Sequence, residues 1–254
     1  MKLGLITTGQ GPRDQYAIYH QRLAAALGIT IETDIEHILD PLDWDQIRPH
    51  VARDGALKLG AHVHVPGATG NRLGPGWDHV YVDMAWSIAY FQQAIDRLVE
   101  RGATMIVLCC AAKFEDAAFR SSVPLIRPST LTFSLIADLV RTRGQLRLGV
   151  MSSAGHAEQD VALWREQHFA ADITLQYEPF EGDLRGAAAK LSQSEHDIVV
   201  IWSYGLGTSP SDPEILSAGL ETTFGCPVLM PHRIAALHAL SVLPAGFDDK
   251  AFAV

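Results

Sequence analysis

Leu3-Gly4-Leu5-Ile6-Thr7-Thr8-Gly9-Gln10, near the start of the chain, is matched past the middle by Leu148-Gly149-Val150-Met151-Ser152-Ser153-Ala154-Gly155. Two more pairs of segments match in the same order, 106–110 with 199–203 and 123–129 with 226–232. Three ordered matches indicate that one pattern of strands and turns occurs twice. A duplicated fold usually places its site between its halves, so residues at matching positions are expected to face each other.

The composition is that of a globular protein and argues against several other classes. Hydrophobic residues make up 48% of the 254 residues and charged residues 19%, which is not the composition of a disordered chain. The net charge of −9 and the lack of a Lys/Arg cluster argue against a nucleic-acid partner. No apolar run is long enough to span a membrane, and the N-terminus has no signal-peptide core. Three cysteines, two of them adjacent, predict free thiols and a cytoplasmic location.

Apolar runs and turn residues predict strands that alternate with helices in both halves of the chain. The predicted strands are 2–7, 29–33, 104–109, 124–126, 147–151, 173–177, 198–202 and 227–229. The predicted helices are 13–27, 85–100, 131–140, 156–169, 182–192 and 234–243. This alternation predicts an α/β fold with mostly parallel sheets and helices on both faces. In such sheets ligands bind beyond the carboxyl ends of the strands.

The repeat also predicts two α/β lobes. The first is expected to cover residues 1–143 and to be completed by the C-terminal helix 233–243, and the second to cover 144–232. The first two repeated segments stand 52 residues further apart in the first lobe, which predicts an insertion at about 43–84. Its alternating residues 62–65 and Gly-rich residues 67–76 predict a hairpin with a mobile tip. A lid, a dimer contact and a plain surface loop are all open roles for it.

Cys110 is the residue that the pattern favours most for chemistry. It closes a buried strand, from which a side chain can reach a cleft beyond the sheet, and nearby helix N-termini are expected to favour its thiolate. The alternative is a packing role, since cysteine is often a small buried hydrophobe. Cys109 points to the opposite face and is expected in the core. Cys226 repeats Val123 and is therefore expected to pack. The repeat partner of Cys110 is Ser203.

Small hydroxyl-bearing turns follow three of the predicted strands. Their backbone N–H groups and hydroxyls suit a carboxylate or phosphate, although Ser and Thr are also preferred as helix N-caps. His232 repeats Ser129 and is a candidate general acid, substrate contact or helix cap. Arg13 and Arg127 are candidate carboxylate clamps by charge and place, with surface solvation as the alternative. The candidate substrate-binding residues are Thr8, Gly9, Gln10, Arg13, Ser129, Thr130, Ser152, Ser153, Tyr204 and His232.

Sequence motifs for nucleotides and metals are absent. There is no Gly-x-Gly-x-x-Gly at a strand end, no phosphate-binding Gly-Lys-Ser/Thr loop and no zinc-type Cys/His pair. His62 and His64 share one side of a predicted strand, where they could form half of a metal site or simply be exposed. The sequence therefore predicts no metal site.

Three segments resemble the AroM-like family, a branch of the aspartate/glutamate/hydantoin racemase superfamily. They are Thr7-Thr8-Gly9-Gln10-Gly11-Pro12-Arg13-Asp14, Arg53-Asp54-Gly55 and the Pro128-Ser129 turn. The resemblance covers nearly the whole chain, and residues 149–155 are similar to the superfamily's second-lobe anion-binding turn. It implies two pseudo-symmetric Rossmann-like lobes with an active site between them and no organic cofactor.

The resemblance also implies a reaction. Racemases of this group use two cysteines, one to remove the proton alpha to a carboxylate and one to return it to the other face. Cys110 falls on the first position, whereas Ser203 departs from the second. Ala111-Ala112 also replaces the Asn-Thr that often follows the first cysteine. A serine hydroxyl is a weaker acid and base than a thiol, so a single thiol better suits the superfamily's decarboxylases or covalent attack.

The leading prediction is a cofactor-independent, cysteine-dependent isomerase of a small carboxylate or amino-acid derivative, with Cys110 and Ser203 as its catalytic residues. A single-thiol decarboxylase or lyase is the alternative within the superfamily. A non-catalytic binding or regulatory protein is the alternative from another class, and Ser203 favours it. A homo-oligomer is left open, and neither nucleic acid nor a membrane is an expected partner.

Overall fold

The computed structural model describes residues 1–71, 73–181, 183–206, 208 and 218–242. The strands in these residues are β1 (Lys2–Thr7), β2 (Glu32–His37), β3 (Lys58–His64), β4 (Trp77–Asp83), β5 (Met105–Leu108), β6 (Leu125–Ile126), β7 (Leu146–Ser153), β8 (Ile173–Phe180), β9 (Ile198–Ile201) and β10 (Val228–Leu229). The helices are α1 (Gln15–Ala26), α2 (Trp44–Ile47), α3 (Met84–Glu100), α4 (Pro128–Arg143), α5 (Ala157–Arg165), α6 (Leu184–Leu191), α7 (Ala218–Phe224) and α8 (Pro231–Ser241).

Two four-stranded parallel sheets carry the fold. The first has the order β2-β1-β5-β6 and the second the order β10-β9-β7-β8, which is the same order of equivalent strands read from the other edge. The central strands β5 and β9 are buried along their whole length, as expected of parallel strands covered on both faces. The predicted α/β fold with mostly parallel sheets is confirmed.

The register of the strands reproduces the sequence repeat. Leu3 pairs with Met105 on the neighbouring strand of the first sheet, and Leu148 pairs with Ile198 in the same way in the second. At the next strand pair, Ile106 lies level with Leu125, and their repeat partners Val199 and Val228 are level as well. Two loop hydrogen bonds repeat too: Cys109 N to Ile6 O and Trp202 N to Met151 O are both 2.7 Å long. The duplication predicted from the sequence therefore extends to individual hydrogen bonds.

Gly4 on β1 and Gly149 on β7 show why the repeated motif has a glycine at this position. A Cβ at Gly4 would lie 3.0–3.3 Å from three side chains, and one at Gly149 would lie 2.9–3.1 Å from three others. The neighbours are Leu98, Ala103 and Ile106 in the first case and Leu191, His196 and Val199 in the second, which are repeat partners of one another. The neighbouring strand and the helix before it, β5 with α3 in the first case and β9 with α6 in the second, pack so closely that a side chain at either glycine would have to displace its neighbours.

The insertion in the first half contains an antiparallel hairpin of β3 and β4, which confirms the predicted hairpin. His62 pairs with His79 across the hairpin, and the connection between the strands holds the Gly-rich segment. The face that carries Leu59, Ala61 and Val63 is buried. This alternation of buried and more exposed residues is the pattern of a strand packed on one face.

The chain forms two compact units whose bounds differ from the predicted lobes. The first unit comprises residues 1–109, 114–127 and the chain from Ala235 onward, and the second comprises 110–113 and 128–234. Helix α4 was predicted in the first lobe but belongs to the second unit. Its apolar face explains the difference, because Phe133, Ile136 and Val140 pack in one core with residues of β7 and β9.

Two other secondary-structure predictions need correction. The predicted strand 29–33 is displaced, since β2 covers Glu32–His37. The acidic residues of β2 are unusual in a strand, but Asp34 and Glu36 pair with Arg97 and Arg101 at the edge of the sheet. Helix α7 was not predicted. Among the described residues, no helix has the length and apolar character needed to cross a membrane.

Candidate functional site

Cys110 and Ser203 occupy equivalent places at the ends of two strands. Each follows its strand by two residues, Cys110 after β5 and Ser203 after β9, and both belong to the second unit. Their neighbours differ in kind, since Ala111 follows Cys110 and Tyr204 follows Ser203. The repeat therefore presents one thiol and one hydroxyl at matching positions.

The thiol of Cys110 is buried and protonated. Its residue is 7% exposed, and burial raises its pKa to about 12, although a hydrogen bond with the backbone of Ala112 acts in the opposite direction. The expectation of a thiolate favoured by helix N-termini is therefore wrong for this structure, because desolvation disfavours the charged form more strongly. A protonated thiol can donate a proton, but it must lose its own before it can act as a base.

The other two cysteines differ from Cys110 in their surroundings. Cys109 is buried, and its thiol lies 3.8 Å from the carbonyl of Val107, which fits the predicted core position. Cys226 is half-buried, and both burial and the negative charge of Asp197 raise its pKa.

Ser129 anchors the short segment that carries Cys110. Its hydroxyl donates to the carbonyl of Ala112 at 3.0 Å, and the residue is buried in the first turn of α4. Thr130, the next residue, is exposed. The Ser129 hydroxyl thus already donates to a backbone carbonyl, which belongs to the residue two positions after Cys110.

Ser152 takes part in a buried polar network that sequence reasoning missed. It donates to the carboxyl of Asp160 on α5 and is hydrogen-bonded to the hydroxyl of Tyr177 on β8. The Tyr177 hydroxyl lies 3.5 Å from the same carboxyl oxygen, and the indole of Trp202 also donates to the carboxyl group. We call these four residues the Asp160 network. Ser153, which follows Ser152, is half-buried and makes no side-chain cap for the turn after it.

Tyr204 and His232 come together in the second unit. Their rings meet edge to face with centroids 6.0 Å apart, and both residues are buried. The structure thus places a ring from the loop after β9 against a ring from the first turn of α8. Both had been predicted as substrate contacts, and their place in the same unit as Cys110 is compatible with that prediction.

In the first unit, the Thr8-Gly9-Gln10 turn contacts the hairpin. The Thr8 hydroxyl donates to the carbonyl of Gly60 at 2.7 Å, and Gln10 N donates to the carbonyl of His62 at 2.8 Å. The Gln10 side chain accepts from His64 N and donates to the carbonyls of Leu39 and Leu42. Thr8 and Gln10, two residues predicted to bind substrate, therefore make structural contacts, and these contacts depend on the hairpin.

Arg13 is a buried cation of the first unit, 4% exposed. Its guanidinium donates to the hydroxyl of Tyr16 at 2.6 Å and packs over the same ring. In the part of the chain that the structure describes, no carboxylate lies within ion-pair distance of it. Arg127 differs, because it pairs with Asp116 at 3.0 Å. Of the two predicted clamps, Arg127 has an acidic partner, whereas Arg13 has none among the described residues.

The hairpin histidines contact other side chains of the hairpin. The rings of His62 and His79 lie 4.9 Å apart, and Asn71 is hydrogen-bonded to His62. His64 packs edge to face against Trp77. No group of three or more His, Cys, Asp or Glu residues in the described ranges is arranged to hold a metal ion.

Comparisons with known proteins agree with the fold. An allantoin racemase from Klebsiella pneumoniae superposes with a TM-score of 0.54 at 14% identity, over 95% of this chain and 87% of that one. A glutamate racemase, RacE1 from Bacillus anthracis, gives a TM-score of 0.50 at 11% identity, over 95% and 80% of the two chains. At these identities the likeness concerns the fold alone.

Comparison with curated proteins gave no match. The family model described as AroM protein matches residues 3–243, nearly the whole chain. The protein thus belongs to the AroM family, which its opening motif had indicated.

Proposed function

We propose that this protein is a cofactor-independent isomerase of racemase type that acts on a small carboxylate, with Cys110 transferring the proton at the alpha carbon. The observation that carries the proposal is the placement of Cys110 and Ser203 at matching strand ends, both in the second unit. The hydroxyls of Ser129, Ser152 and Ser153 are among the groups that we expect to bind the substrate carboxylate. A cytoplasmic location and a homo-oligomer remain part of the proposal.

A one-thiol lyase is the second candidate, and the protonated state of Cys110 favours it. In a decarboxylation, the bond between the alpha carbon and one carboxylate breaks, and carbon dioxide leaves. The electron pair stays on the alpha carbon and spreads into the remaining carboxyl group. The Cys110 proton then moves to that carbon, and water reprotonates the thiolate. This sequence needs no second thiol, which fits the serine at position 203.

Proton exchange with solvent tests the proposal. The protein is incubated in deuterium oxide with a panel of amino acids, hydantoins and malonates, and the alpha position is followed by NMR. Exchange or inversion at the alpha carbon supports an isomerase, whereas carbon dioxide release supports a lyase. Saturable binding without either reaction would support the alternative of a non-catalytic binding protein.

Matched cysteine variants locate the chemistry. Cys110→Ala is expected to abolish turnover, while Cys226→Ala, which changes a half-buried thiol of the same unit, is expected to leave it nearly unchanged. Equal activity of the two variants would contradict the role of Cys110. Ser203→Cys adds a second thiol and is expected to favour racemisation over one-proton chemistry.

A further inference from the structure

Asp160 is a buried carboxyl group that the proposed reaction does not use. The residue is 5% exposed on α5, and no Lys, Arg or His nitrogen of the described chain lies within ion-pair distance of it. An ionised carboxylate in such a place must be stabilised by hydrogen-bond donors. The Asp160 network supplies three of them, from Ser152, Tyr177 and Trp202.

The donors come from three neighbouring strands of the second sheet. Ser152 is near the end of β7, Tyr177 lies on β8, and Trp202 directly follows β9. The Asp160 carboxyl group on α5 therefore contacts residues of β7 and of the segment after β9. Both segments lead to predicted parts of the site. These parts are the Ser152-Ser153 turn and Ser203.

Trp202 is held on its ring as well as at its N–H group. The ring centroids of Phe133 and Trp164 lie 5.0 Å and 5.3 Å from that of Trp202. Its backbone N–H donates to Met151 O at 2.7 Å. With ring, indole N–H and backbone all fixed, little freedom is left for the peptide that leads to Ser203.

The direction of the hydrogen bonds depends on the protonation of Asp160. When the carboxyl is ionised it can only accept, so Ser152 donates to it and can accept from Tyr177. When the carboxyl is protonated on the shared oxygen it donates to Ser152, whose own hydrogen must then point elsewhere. The two states therefore differ in the orientation of the Ser152 hydroxyl hydrogen and in the charge that faces the indole N–H of Trp202.

We propose that Asp160 is the positioning residue of the second unit, which holds Ser203 in place through Trp202 and the Ser152-Ser153 turn through Ser152. Its meaning for catalysis rests on the proposed function, whereas its effect on Trp202 and Ser203 does not. Burial raises the pKa of Asp160 to about 6, and the three hydrogen bonds oppose that rise. No charged group contributes to the shift, so the carboxyl titrates in an accessible range.

NMR measures the network without relying on turnover. The indole N–H resonance of Trp202, assigned with Trp202→Phe, and the amide resonance of Ser203 are followed from pH 4.5 to pH 8. We expect both to move with one midpoint near pH 6, and both to lose that titration in Asp160→Asn. Asp138→Asn is the matched control, because Asp138 is an exposed carboxylate of the same unit. If the two resonances do not titrate together, or titrate equally in Asp160→Asn, the inference is wrong.

A second variant covers the case in which Asp160→Asn does not fold. Ser152→Ala removes the hydrogen bond that most lowers the pKa of Asp160. It is expected to move the midpoint upward, and an unchanged midpoint would overturn the inference.

Turnover separates this inference from the proposed function. Below pH 6 the wild type should lose kcat, and Asp160→Asn should lose about tenfold to a hundredfold in kcat at every pH, with less effect on KM. If no substrate turns over but the resonances titrate together, only the proposed function fails. If turnover occurs and the resonances do not respond, only the inference about Asp160 fails.

Discussion

The two units share one scaffold and differ at the ends of its strands. Strand order, register and even the hydrogen bond from the residue before Cys110 or Ser203 are the same in both sheets. Near the carboxyl ends of the strands, the first unit has Thr7 hydrogen-bonded to His37, and the second has the Asp160 network. The polar groups near the strand ends, where the predicted chemistry lies, therefore differ between the two sheets, although their strands match.

One further difference follows from the hairpin. A Cβ at Gly9 would lie 2.4 Å from the carbonyl oxygen of His62, so only glycine fits against the hairpin. The repeat partner of Gly9 is Ala154, and the described residues of the second half form no hairpin. The insertion, and not a ligand, explains this glycine of the opening motif.

The largest expected contrast concerns the residues before Cys110 and Ser203. Trp202→Ala should lower the free energy of unfolding by about 3–5 kcal/mol, because it leaves a large cavity in the aromatic core of the second unit. Cys109→Ala, at the repeat partner, should cost only about 1 kcal/mol, since it removes one small side chain. Both losses in the free energy of unfolding can be measured by urea unfolding, with the amide protection of each sheet as the signal. Similar losses would show that the two positions carry the same packing role.

The second contrast is in pH dependence. Burial raises the pKa of Asp160 to about 6 and lowers that of His20, in the first unit, to about 4. The contribution of Asp160 to the free energy of unfolding is full below about pH 4. It falls by about 3 kcal/mol as the pH rises through 6. Stability from His20 is present above its ordinary pKa and is lost, by a similar amount, as the pH falls towards 4.

Two variants isolate these opposite slopes. Relative to the wild type, Asp160→Asn should gain stability with rising pH, and His20→Gln should gain it with falling pH. The measurement is the urea midpoint of each sheet at pH 4.5, 6 and 8. Slopes of the same sign for the two variants would contradict the assignment.

The third contrast tests the hairpin. Gly9→Ala should cost about 1–3 kcal/mol, because its Cβ must displace the backbone of the hairpin. Ala154→Gly should cost less, about 1 kcal/mol at most, since it changes chain entropy alone. Amide exchange at His62 and His64 should rise in the first variant only. Unchanged exchange there would mean that the hairpin does not depend on this contact.

The smallest contrast is near the start of the repeated strands β1 and β7. Lys2 pairs with Glu32 and Asp34, and its repeat partner Arg147 pairs with Glu195 and Asp197. Both side chains are partly exposed, so alanine at either position should have a small effect that shrinks in high salt. Arg147→Ala should lose slightly more, because the Arg147 guanidinium donates to both carboxyl oxygens of Asp197, a bidentate geometry that an ammonium cannot form. A salt-independent loss would point to packing instead of charge.

The sequence was sufficient for the framework because the repeat is local and apolar. Gly4 and Gly149 with their flanking apolar residues predicted the strands β1 and β7, and three matches in the same order predicted the duplication. The hairpin insertion followed from the uneven spacing of the repeat. Each of these features depends on patterns within a few residues along the chain.

The Asp160 network could not be predicted in the same way. Ser152, Tyr177 and Trp202 are separated by tens of residues, and nothing local distinguishes Asp160 from an acidic residue in the first turn of a helix. The roles of Thr8 and Gln10 likewise depend on a hairpin some 50 residues away. For Cys110 the position was predicted, but its protonation state was not, because desolvation is a property of the folded chain.

The assignment of helices to the units has a consequence for synthesis. The second unit consists of residues 110–113 and 128–234, whereas the first includes the chain from Ala235 onward. During translation, the unit that begins first is therefore the last to receive all of its parts. We expect the second unit to gain protection on the ribosome before the first, even though domains generally fold in order from the N-terminus. Splitting the gene at the midpoint of the sequence repeat would separate helix α4 from its core.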